Sequence, residues 1–482
     1  MKKYPVENSP IYYGTTQQGS QCRCLVINPP NKPFSSKHLL IEPIDILGLA
    51  TFIRELGNTV QLVDMDHLQV DASFIVDVLK EFSPEWTIIP FDYHIPLYTS
   101  EAISNVVAIA QCAIASGSRV LIGGRPATFH PEAFKEIPNV LIAQGEMEPV
   151  IAELLKQKGS HNQDSKQLLG VMYFEGGVLH KNARPVSFDI EQLPIPDRSL
   201  INISEYIDVH TILSSRGCVE KCAFCPVPAF WGRWRKRSAL QVVDEIEYLV
   251  NTYQAKKILF LDDHATVDKR RMQEISREVL KRKLSVTLGC LGTIVSYDQE
   301  TFLLMYEAGF RWVHYGAEFA DNAVLRNLKK RHTVSQLEEV LAATMAIGFR
   351  VRSSWILDAP SANDDGVRNT VEAIIKNRTH EVRAHFFAPR AGAALAQGYV
   401  AEPESGVPPQ YLHSGTPLVI NERISQKVLA AEVGRLTTEL SRDSYAVVRD
   451  PHDWKNFENL ISGADQRFIS FCPGRYGIGW RK

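Results

Sequence analysis

The sequence predicts an α/β protein built on parallel sheets, and three observations carry that prediction. Short apolar runs stopped by turn residues recur from Cys24 onward, helical periodicities separate them, and the composition stays globular throughout. Strands joined through helices pair in parallel and are covered on both faces. The chain has 482 residues, 45% of them apolar and 22% charged, an ordinary balance that excludes extensive disorder. At about 100–200 residues per domain this length holds two to four domains. With 53 Lys+Arg against 55 Asp+Glu the net charge is −2, so charge makes no case for non-specific nucleic-acid or acidic-membrane binding. No run approaches the roughly 18 apolar residues of a membrane span, and Met1 to Ser20 lacks a signal-peptide core. A cytoplasmic setting is expected.

The first strand is Cys24-Leu25-Val26-Ile27, stopped by Asn28-Pro29-Pro30; helical spacing follows from Ile44 to Leu56 and stops at Gly57. Val60–Asp64, Trp86–Pro90, Val120–Gly124 and Val140–Ile142 are the next strands of a doubly wound, Rossmann-like sheet. Ligands of such sheets bind at the carboxyl ends of the strands. There Gly123-Gly124-Arg125-Pro126 offers close backbone approach, and Gly145-Glu146-Met147-Glu148-Pro149 opens a helix with acids at its positive end. No GxGxxG follows the first strand, which disfavours a dinucleotide. An unliganded sheet with ordinary turns fits this region equally well.

Eight cysteines are present: Cys22, Cys24, Cys112, Cys218, Cys222, Cys225, Cys290 and Cys472. That is far below the density of a disulfide-stapled scaffold. Three fall in Gly217-Cys218-Val219-Glu220-Lys221-Cys222-Ala223-Phe224-Cys225-Pro226, after the strand-like Val209–Leu213. CxxxCxxC offers three thiolates from one loop, which suits three irons of a [4Fe-4S] cubane and leaves the fourth iron open. Zinc and an incidental cluster are the alternatives, and zinc is poorly served without a local fourth ligand. The spacing, with Phe224 before the third cysteine, resembles the signature of the radical S-adenosylmethionine superfamily. Membership implies that Cys218, Cys222 and Cys225 hold the cluster, with Phe224 beside the cofactor. S-Adenosylmethionine would bind the open iron and be cleaved reductively to a 5′-deoxyadenosyl radical.

Pro226 to Ser238 and the preceding domain narrow the likeness to the subgroup with an N-terminal cobalamin-binding domain. The resemblance covers about Cys24 to Leu395 and implies cobalamin contacts from Pro43, Asp92, Tyr93, Gly123, Gly124, Arg125, Gly145, Glu146 and Glu148. Conventional cobalamin domains carry DxHxxG after the first strand. Asp64-Met65-Asp66-His67 follows the second and lacks the glycine, so His67 reads as a loop residue. The subgroup generally lacks that histidine. Tyr93 or His94 is the candidate for facing cobalt.

Further strands read at Lys257–Asp262, Leu284–Leu288, Trp312–Gly316, Val351–Ile356 and Val382–Phe387, with helices such as Val242–Asn251 and Val334–Ile347 between. With the strand before Cys218 they make six βα units, matching the superfamily's partial (β/α)6 TIM-type barrel. Reactive groups of such barrels lie at the carboxyl ends of the strands. Gly316-Ala317-Glu318 resembles the GGE motif that contacts the methionine ammonium, with Ala317 in the middle glycine's place. Ser353 and Ser354 are candidates for the ribose, and Asp262-Asp263-His264 for ribose or substrate. Cys290 is a candidate hydrogen-atom donor, a buried structural thiol being its plainer reading. The basic aromatic run Trp231–Arg237 raises RNA stacking, but near-neutral charge and the lack of an added RNA module argue against nucleic acid.

The expected organisation is a tail (1–20), a cobalamin-binding domain (21–160), a linker with a hairpin around Glu175-Gly176-Gly177 (161–205), the radical barrel (206–395) and a small α-rich C-terminal cap (396–482) with a helix over Glu422–Arg442. The resemblance implies a methyltransferase acting on an unactivated carbon of a small molecule or natural product, with cobalamin, S-adenosylmethionine and the cluster as cofactors. A one-electron reductant such as flavodoxin or ferredoxin is the implied partner. Alternatives are a cobalamin-dependent rearrangement, ring contraction or cyclisation, methylthiolation of RNA or protein, and a non-catalytic cofactor sensor.

Overall fold

A computed structural model describes residues 12–13, 22–30, 41–91, 100–156, 165–185, 187–387, 390, 392–396, 421, 423–443, 445–448 and 467–471. The chain divides into two compact units, Met1–Tyr206 and Ile207–Lys482.

In the first unit, β1 (Tyr12–Tyr13), β2 (Arg23–Asn28), β3 (Thr59–Asp64), β4 (Trp86–Pro90), β5 (Arg119–Gly123), β6 (Leu141–Ala143), β7 (Val171–Glu175) and β8 (Val178–Lys181) form one sheet ordered β1-β3-β2-β4-β5-β6-β7-β8. The five strands β2 to β6 pair in parallel. Their order is the 2-1-3-4-5 arrangement of flavodoxin-like sheets, whose switch point lies between the first and third strands. Every residue of β3 and β4 is buried, as expected of strands covered on both faces.

The hairpin expected in the linker adds to this sheet as its antiparallel edge, with Met172 opposite Ile142. Gly176 and Gly177 take φ of 56° and 78°, the pair of positive values that a two-residue type I′ turn needs. The segment that follows is also fastened to the first unit. Asp197 pairs with Arg54 at 2.6 Å, and its backbone N–H donates to Thr51 Oγ1 at 2.9 Å. Arg198 and Glu42, 0% and 1% exposed, are joined through two contacts of 3.2 Å.

Removing one partner of such a pair strands a buried charge. Arg198→Ala should therefore cost the first unit roughly 3–5 kcal/mol in urea unfolding. Replacing both partners with apolar residues of similar volume should cost far less. Equal losses from the single and the double change would show that packing, not charge, sets the effect.

The second unit is a parallel sheet of β9 (His210–Ile212), β12 (Lys257–Phe260), β13 (Thr287–Gly292), β14 (Phe310–Glu318), β15 (Arg350–Ile356) and β16 (Glu381–His385), in that order. A separate antiparallel pair, β10 (Ser215–Arg216) and β11 (Arg235–Lys236), brackets the cysteine loop. The helices between strands start where the sequence supplies caps. Ser238 with Gln241 and Thr333 with Gln336 form capping boxes at the helices Ala239–Tyr253 and Val334–Ile347. The C-terminal region contributes the helix Gln426–Arg442, and also β17 (Tyr445–Val448) and β18 (Arg467–Phe471). These two strands continue the sheet in parallel beyond β16.

The third barrel strand starts three residues later and ends four residues later than the sequence predicts, over Thr287–Gly292 and not Leu284–Leu288. Its glycines look like strand terminators, yet the packing demands them. A Cβ on Gly289 would lie 3.0 Å from the Trp312 ring, and one on Gly292 would lie 2.7 Å from Thr266 Oγ1.

Side chains alternate across this wall. Cys290, Val313, Tyr315, Val351, Trp355, Val382 and Ala384 pack in the apolar layer with the helices. Leu291, His314, Gly316, Ser354, Arg383 and His385 face the other way and keep partial exposure. The inner side of the barrel is therefore open to solvent-sized molecules along β13 to β16.

Candidate cofactor site in the barrel

Cys218, Cys222 and Cys225 lie on the loop between β10 and the short helix Val227–Trp231; all three are half-buried free thiols. The backbone around them is held at several points. Asp262, at the end of β12, is fully buried and accepts from Ser214 N at 2.7 Å, Ser214 Oγ at 2.5 Å and Ser215 Oγ at 2.6 Å. Asp263 accepts from Gly217 N at 3.2 Å. Gly217 has φ of +85°, and a Cβ there would lie 2.9 Å from the Arg233 carbonyl. Ala223, between the second and third cysteines, donates its N–H to Leu328 O at 2.9 Å and accepts from Leu395 N at 2.8 Å. Asp262 and Asp263 thus position the cysteine loop, a role the sequence reading did not assign.

The sulfurs also have nitrogen neighbours. Glu220 N donates to Cys218 Sγ at 3.4 Å, and His264 Nδ1 lies 3.7 Å from the same sulfur. His264 Nε2 is 3.2 Å from Thr293 Oγ1, which fixes the ring. Burial holds the His264 pKa down at about 4, so the ring is neutral at pH 7. Burial pushes the Cys218 thiol up to about 12 and the Cys222 thiol up to about 11. Among the described residues no three His, Cys, Asp or Glu side chains converge on one ion position. A cubane does not require that, because each thiolate takes a different iron.

Gly316, Ala317 and Glu318 end β14, where the register with β15 shifts. Glu318 is 8% exposed and adopts a left-handed φ of 66°, the strained type of backbone found at ligand sites. A Cβ on Gly316 would come within 2.3 Å of Glu318 Oε1, so glycine is required for the carboxylate to lie where it does. Ala317 points away into the apolar layer, which explains why its methyl group is tolerated. Lys330 Nζ donates to Glu318 Oε1 at 3.2 Å. Burial works to lower the lysine's pKa, but Glu318, then Cys222, overcome it and raise it, so Lys330 stays charged. Nothing in the sequence pattern singled out Lys330. Phe224 is partly buried and packs against the apolar core.

Ser354 Oγ lies 2.7 Å from His314 Nε2 on the open side of the barrel. Ser353 corrects the ribose assignment. It is 1% exposed on the opposite face, and its hydroxyl is engaged by Trp355 Nε1 at 2.8 Å and Thr379 Oγ1 at 2.7 Å. Cys290 likewise sits fully buried in the outer apolar layer, where burial raises its pKa. That position suits a structural thiol and not a hydrogen-atom donor facing the cavity. Within the run Trp231–Arg237, Trp231, Arg235 and Arg237 are buried while Gly232, Arg233 and Lys236 are exposed, and the Arg216 guanidinium lies 5.0 Å from the Trp231 ring centre.

In the first unit, the structure brings Gly123, Gly124, Arg125, Gly145, Glu146 and Glu148 to the same carboxyl edge of the sheet. The glycines are demanded first by the chain itself: a Cβ on Gly124 would fall 1.7 Å from the Phe91 carbonyl oxygen, and one on Gly123 would fall 2.4 Å from Met147 Sδ. Arg125, Glu146 and Glu148 are buried. Pro43 precedes the helix Ile44–Glu55 and accepts from Leu47 N at 2.9 Å. Asp92, Tyr93, His94 and Cys472 lie outside the described residues. His67 stacks on Tyr206 at 4.4 Å and its Nε2 lies 3.0 Å from Glu205, so it is already engaged. Cys24 is wholly buried within β2 and Cys112 sits on the helix Ser100–Ala115.

Asp358, just past β15, is a further buried acid the sequence reading missed. It is 3% exposed, accepts from Phe387 N at 2.5 Å, and burial raises its pKa from 3.8 to about 7. A carboxyl whose folded pKa is raised takes up protons on folding. Stability is therefore unaffected below about pH 4 and falls as the pH rises toward 7, by up to about 1.4 kcal/mol per pH step. Asp358→Asn should flatten the decline in Tm between pH 5 and pH 8; an unchanged slope would place the titrating group elsewhere.

Residues 212–374, within the second unit, match the family model of the Radical SAM superfamily. The likeness extends beyond that segment. An uncharacterized methyltransferase of Pyrococcus horikoshii is 28% identical over 374 residues, 76% of each chain. The anaerobic magnesium-protoporphyrin IX monomethyl ester cyclase of a Synechocystis species is 22% identical over 375 residues, 73% of this chain and 71% of its own. Among solved structures, the radical S-adenosylmethionine methyltransferase TsrM from Kitasatospora setae, with cobalamin and a [4Fe-4S] cluster bound, superposes with a TM-score of 0.70 at 16% identity. That match covers 86% of this chain and 89% of TsrM, and it shows a shared fold.

Proposed function

We propose that this protein is a cobalamin-dependent radical S-adenosylmethionine methyltransferase that methylates an unactivated carbon of a small molecule. The observation that carries the reading is the loop of three half-buried thiols, tied down at Ser214, Gly217 and Ala223, beside the strained Glu318 and its partner Lys330. The donor set fits an iron–sulfur cluster: three soft sulfurs, with a backbone N–H and an imidazole nitrogen close to the first. For the corrinoid, support comes from the 2-1-3-4-5 strand order, the glycine-backed carboxyl edge and the likeness to TsrM, solved with cobalamin bound. When bound, the cluster supplies the electron that cleaves S-adenosylmethionine, and the corrinoid carries the methyl group to be transferred.

The chain's own residues bind and orient. Glu318 would accept hydrogen bonds from the methionine ammonium and Lys330 would meet its carboxylate, the ion pair already present opening to receive the zwitterion. Ser354 and His314 line the inner face of the barrel and would hold the adenosyl group there. The apolar layer behind them would exclude water from the bound cofactor. A one-electron carrier protein would reduce the cluster.

The likeness to a cyclase supports a second reading within the same cofactor class, ring closure without net methyl transfer. Anaerobic reconstitution with iron, sulfide and cobalamin, followed by turnover with S-adenosylmethionine, separates the two. Methylation yields both 5′-deoxyadenosine and S-adenosylhomocysteine, and a product heavier by one methylene. Cyclisation yields no S-adenosylhomocysteine. Absence of corrin absorption after reconstitution would sink both.

A further inference from the structure

We propose that the open side of the barrel binds the oxyanion of a small substrate, a carboxylate or a phosphate, with Arg383 as its anchor. The inference rests on the enzymatic reading above and adds the chemical class of what is methylated. Closed eight-stranded barrels fill their interiors with branched apolar side chains, whereas the inner face of this sheet keeps partial exposure. Here the inward positions of three neighbouring strands are Trp312 and His314 on β14, Arg352 and Ser354 on β15, and Glu381 and Arg383 on β16, aligned by the parallel register. Polar residues placed where packing asks for apolar ones mark a site that serves something other than the fold.

Charge makes the case specific. Glu381 is 6% exposed and holds both arginines: Arg352 Nη2 contacts its Oε2 at 2.6 Å, and Arg383 Nε donates to its Oε1 at 3.0 Å. Two guanidinium groups against one carboxylate leave a surplus positive charge on this wall. The Lys330–Glu318 pair does not cancel it, being neutral by itself.

The two arginines are not equivalent. Arg352 is 4% exposed and is fixed between Glu381 and the Trp312 ring, whose centre lies 4.8 Å from the guanidinium. Arg383 keeps partial exposure and commits only Nε, so both of its terminal nitrogens lack a hydrogen-bond partner among the described residues. A guanidinium held by one edge, with its other edge free in a half-buried space, is arranged for bidentate capture of an oxyanion. Arg352 acts through Glu381 as a positioning residue. Arg383 shares the register level of Gly316 and Ser354, so an anchored substrate lies on the wall that ends in Glu318.

The test uses the full chain without turnover. Equilibrium dialysis with radiolabelled inorganic phosphate and, separately, succinate should find one site per chain for at least one of them. Arg383→Gln should weaken that site at least tenfold, and Arg383→Lys should weaken it less by keeping the charge without the fork. Arg368→Gln, on the exposed face of a neighbouring helix, should leave it unchanged. Thermal unfolding of Arg383→Gln checks that the fold is intact, and Arg383→Lys carries the test if it is not. Binding of neither anion, or equal binding by all variants, overturns the proposal. So does a tenfold loss of S-adenosylmethionine binding in Arg383→Gln with anion binding unchanged, which would give the arginine to the cofactor's own carboxylate. Failure of iron or corrinoid loading in the wild-type chain would instead count against the methyltransferase reading alone, since dialysis needs neither.

Discussion

Cys218→Ala will take reductive cleavage of S-adenosylmethionine to background and strip most of the iron–sulfur absorption, while the protein still folds and still retains corrinoid. The separation is expected because the loop does not depend on this thiol for its shape. Asp262 holds Ser214 and Ser215, Asp263 holds Gly217, and Leu328 and Leu395 hold Ala223 from two sides. What the substitution removes is one of the three proposed cluster ligands, and even outer partners of metal ligands typically cost about 10–100-fold when lost. The thiols themselves add a pH signature. Burial keeps Cys218 and Cys222 protonated far above neutrality, so cluster assembly must displace their protons. Iron loading of the wild-type chain should therefore improve as the pH rises from 7 to 9 and release protons as it proceeds. Cys290→Ala is the control: it trims the outer apolar layer and should leave cleavage intact. Unchanged absorption at 400 nm in Cys218→Ala would remove the cluster from these cysteines.

Most strands and the cysteine loop were legible because their signals are local. Apolar runs ended by Asn-Pro-Pro or Gly-Gly, and three thiols within eight residues, need no tertiary context to be read. What escaped depended on which way a side chain faces or on what lies across the sheet. Ser353 and Ser354 are adjacent in the chain, yet strand alternation buries one hydroxyl against Trp355 and opens the other toward His314. The third barrel strand reads as Leu284–Leu288 in the sequence but spans Thr287–Gly292, where Trp312 and Thr266 leave no room for a Cβ on Gly289 or Gly292. Lys330 follows an ordinary basic stretch, and only the fold brings its ammonium to Glu318. Asp262 and Asp263 were noticed as acids at a barrel mouth. Their actual partners are 46 to 48 residues earlier, a distance no periodicity spans.

Gly124→Ala will be the most damaging single-methyl change in the first unit, costing about 2–6 kcal/mol and abolishing corrinoid retention. Two terms add. The residue has φ of 105° and ψ of −175°, a region essentially reserved for glycine and costing roughly 1–3 kcal/mol for any other residue. The new Cβ would also fall 1.7 Å from the Phe91 carbonyl oxygen. That atom is backbone and cannot rotate away, so β4 and β5 must part at their carboxyl ends, with an overpacking cost of about 1–3 kcal/mol. Parting them breaks the bond from Phe91 N to Gly123 O, 2.8 Å long, on the edge where the corrinoid is proposed to bind. Gly57→Ala separates the two terms, because Gly57 has φ of +85° with nothing within 4 Å of its added Cβ. It should lose only about 1 kcal/mol and keep its corrinoid. Urea unfolding of both variants, with corrin absorption followed after gel filtration, reads the comparison directly. Similar losses from the two would mean that backbone conformation alone explains Gly124. A large loss of stability with corrinoid still bound would mean that this glycine serves the strand ends and that the corrinoid is held elsewhere on the sheet.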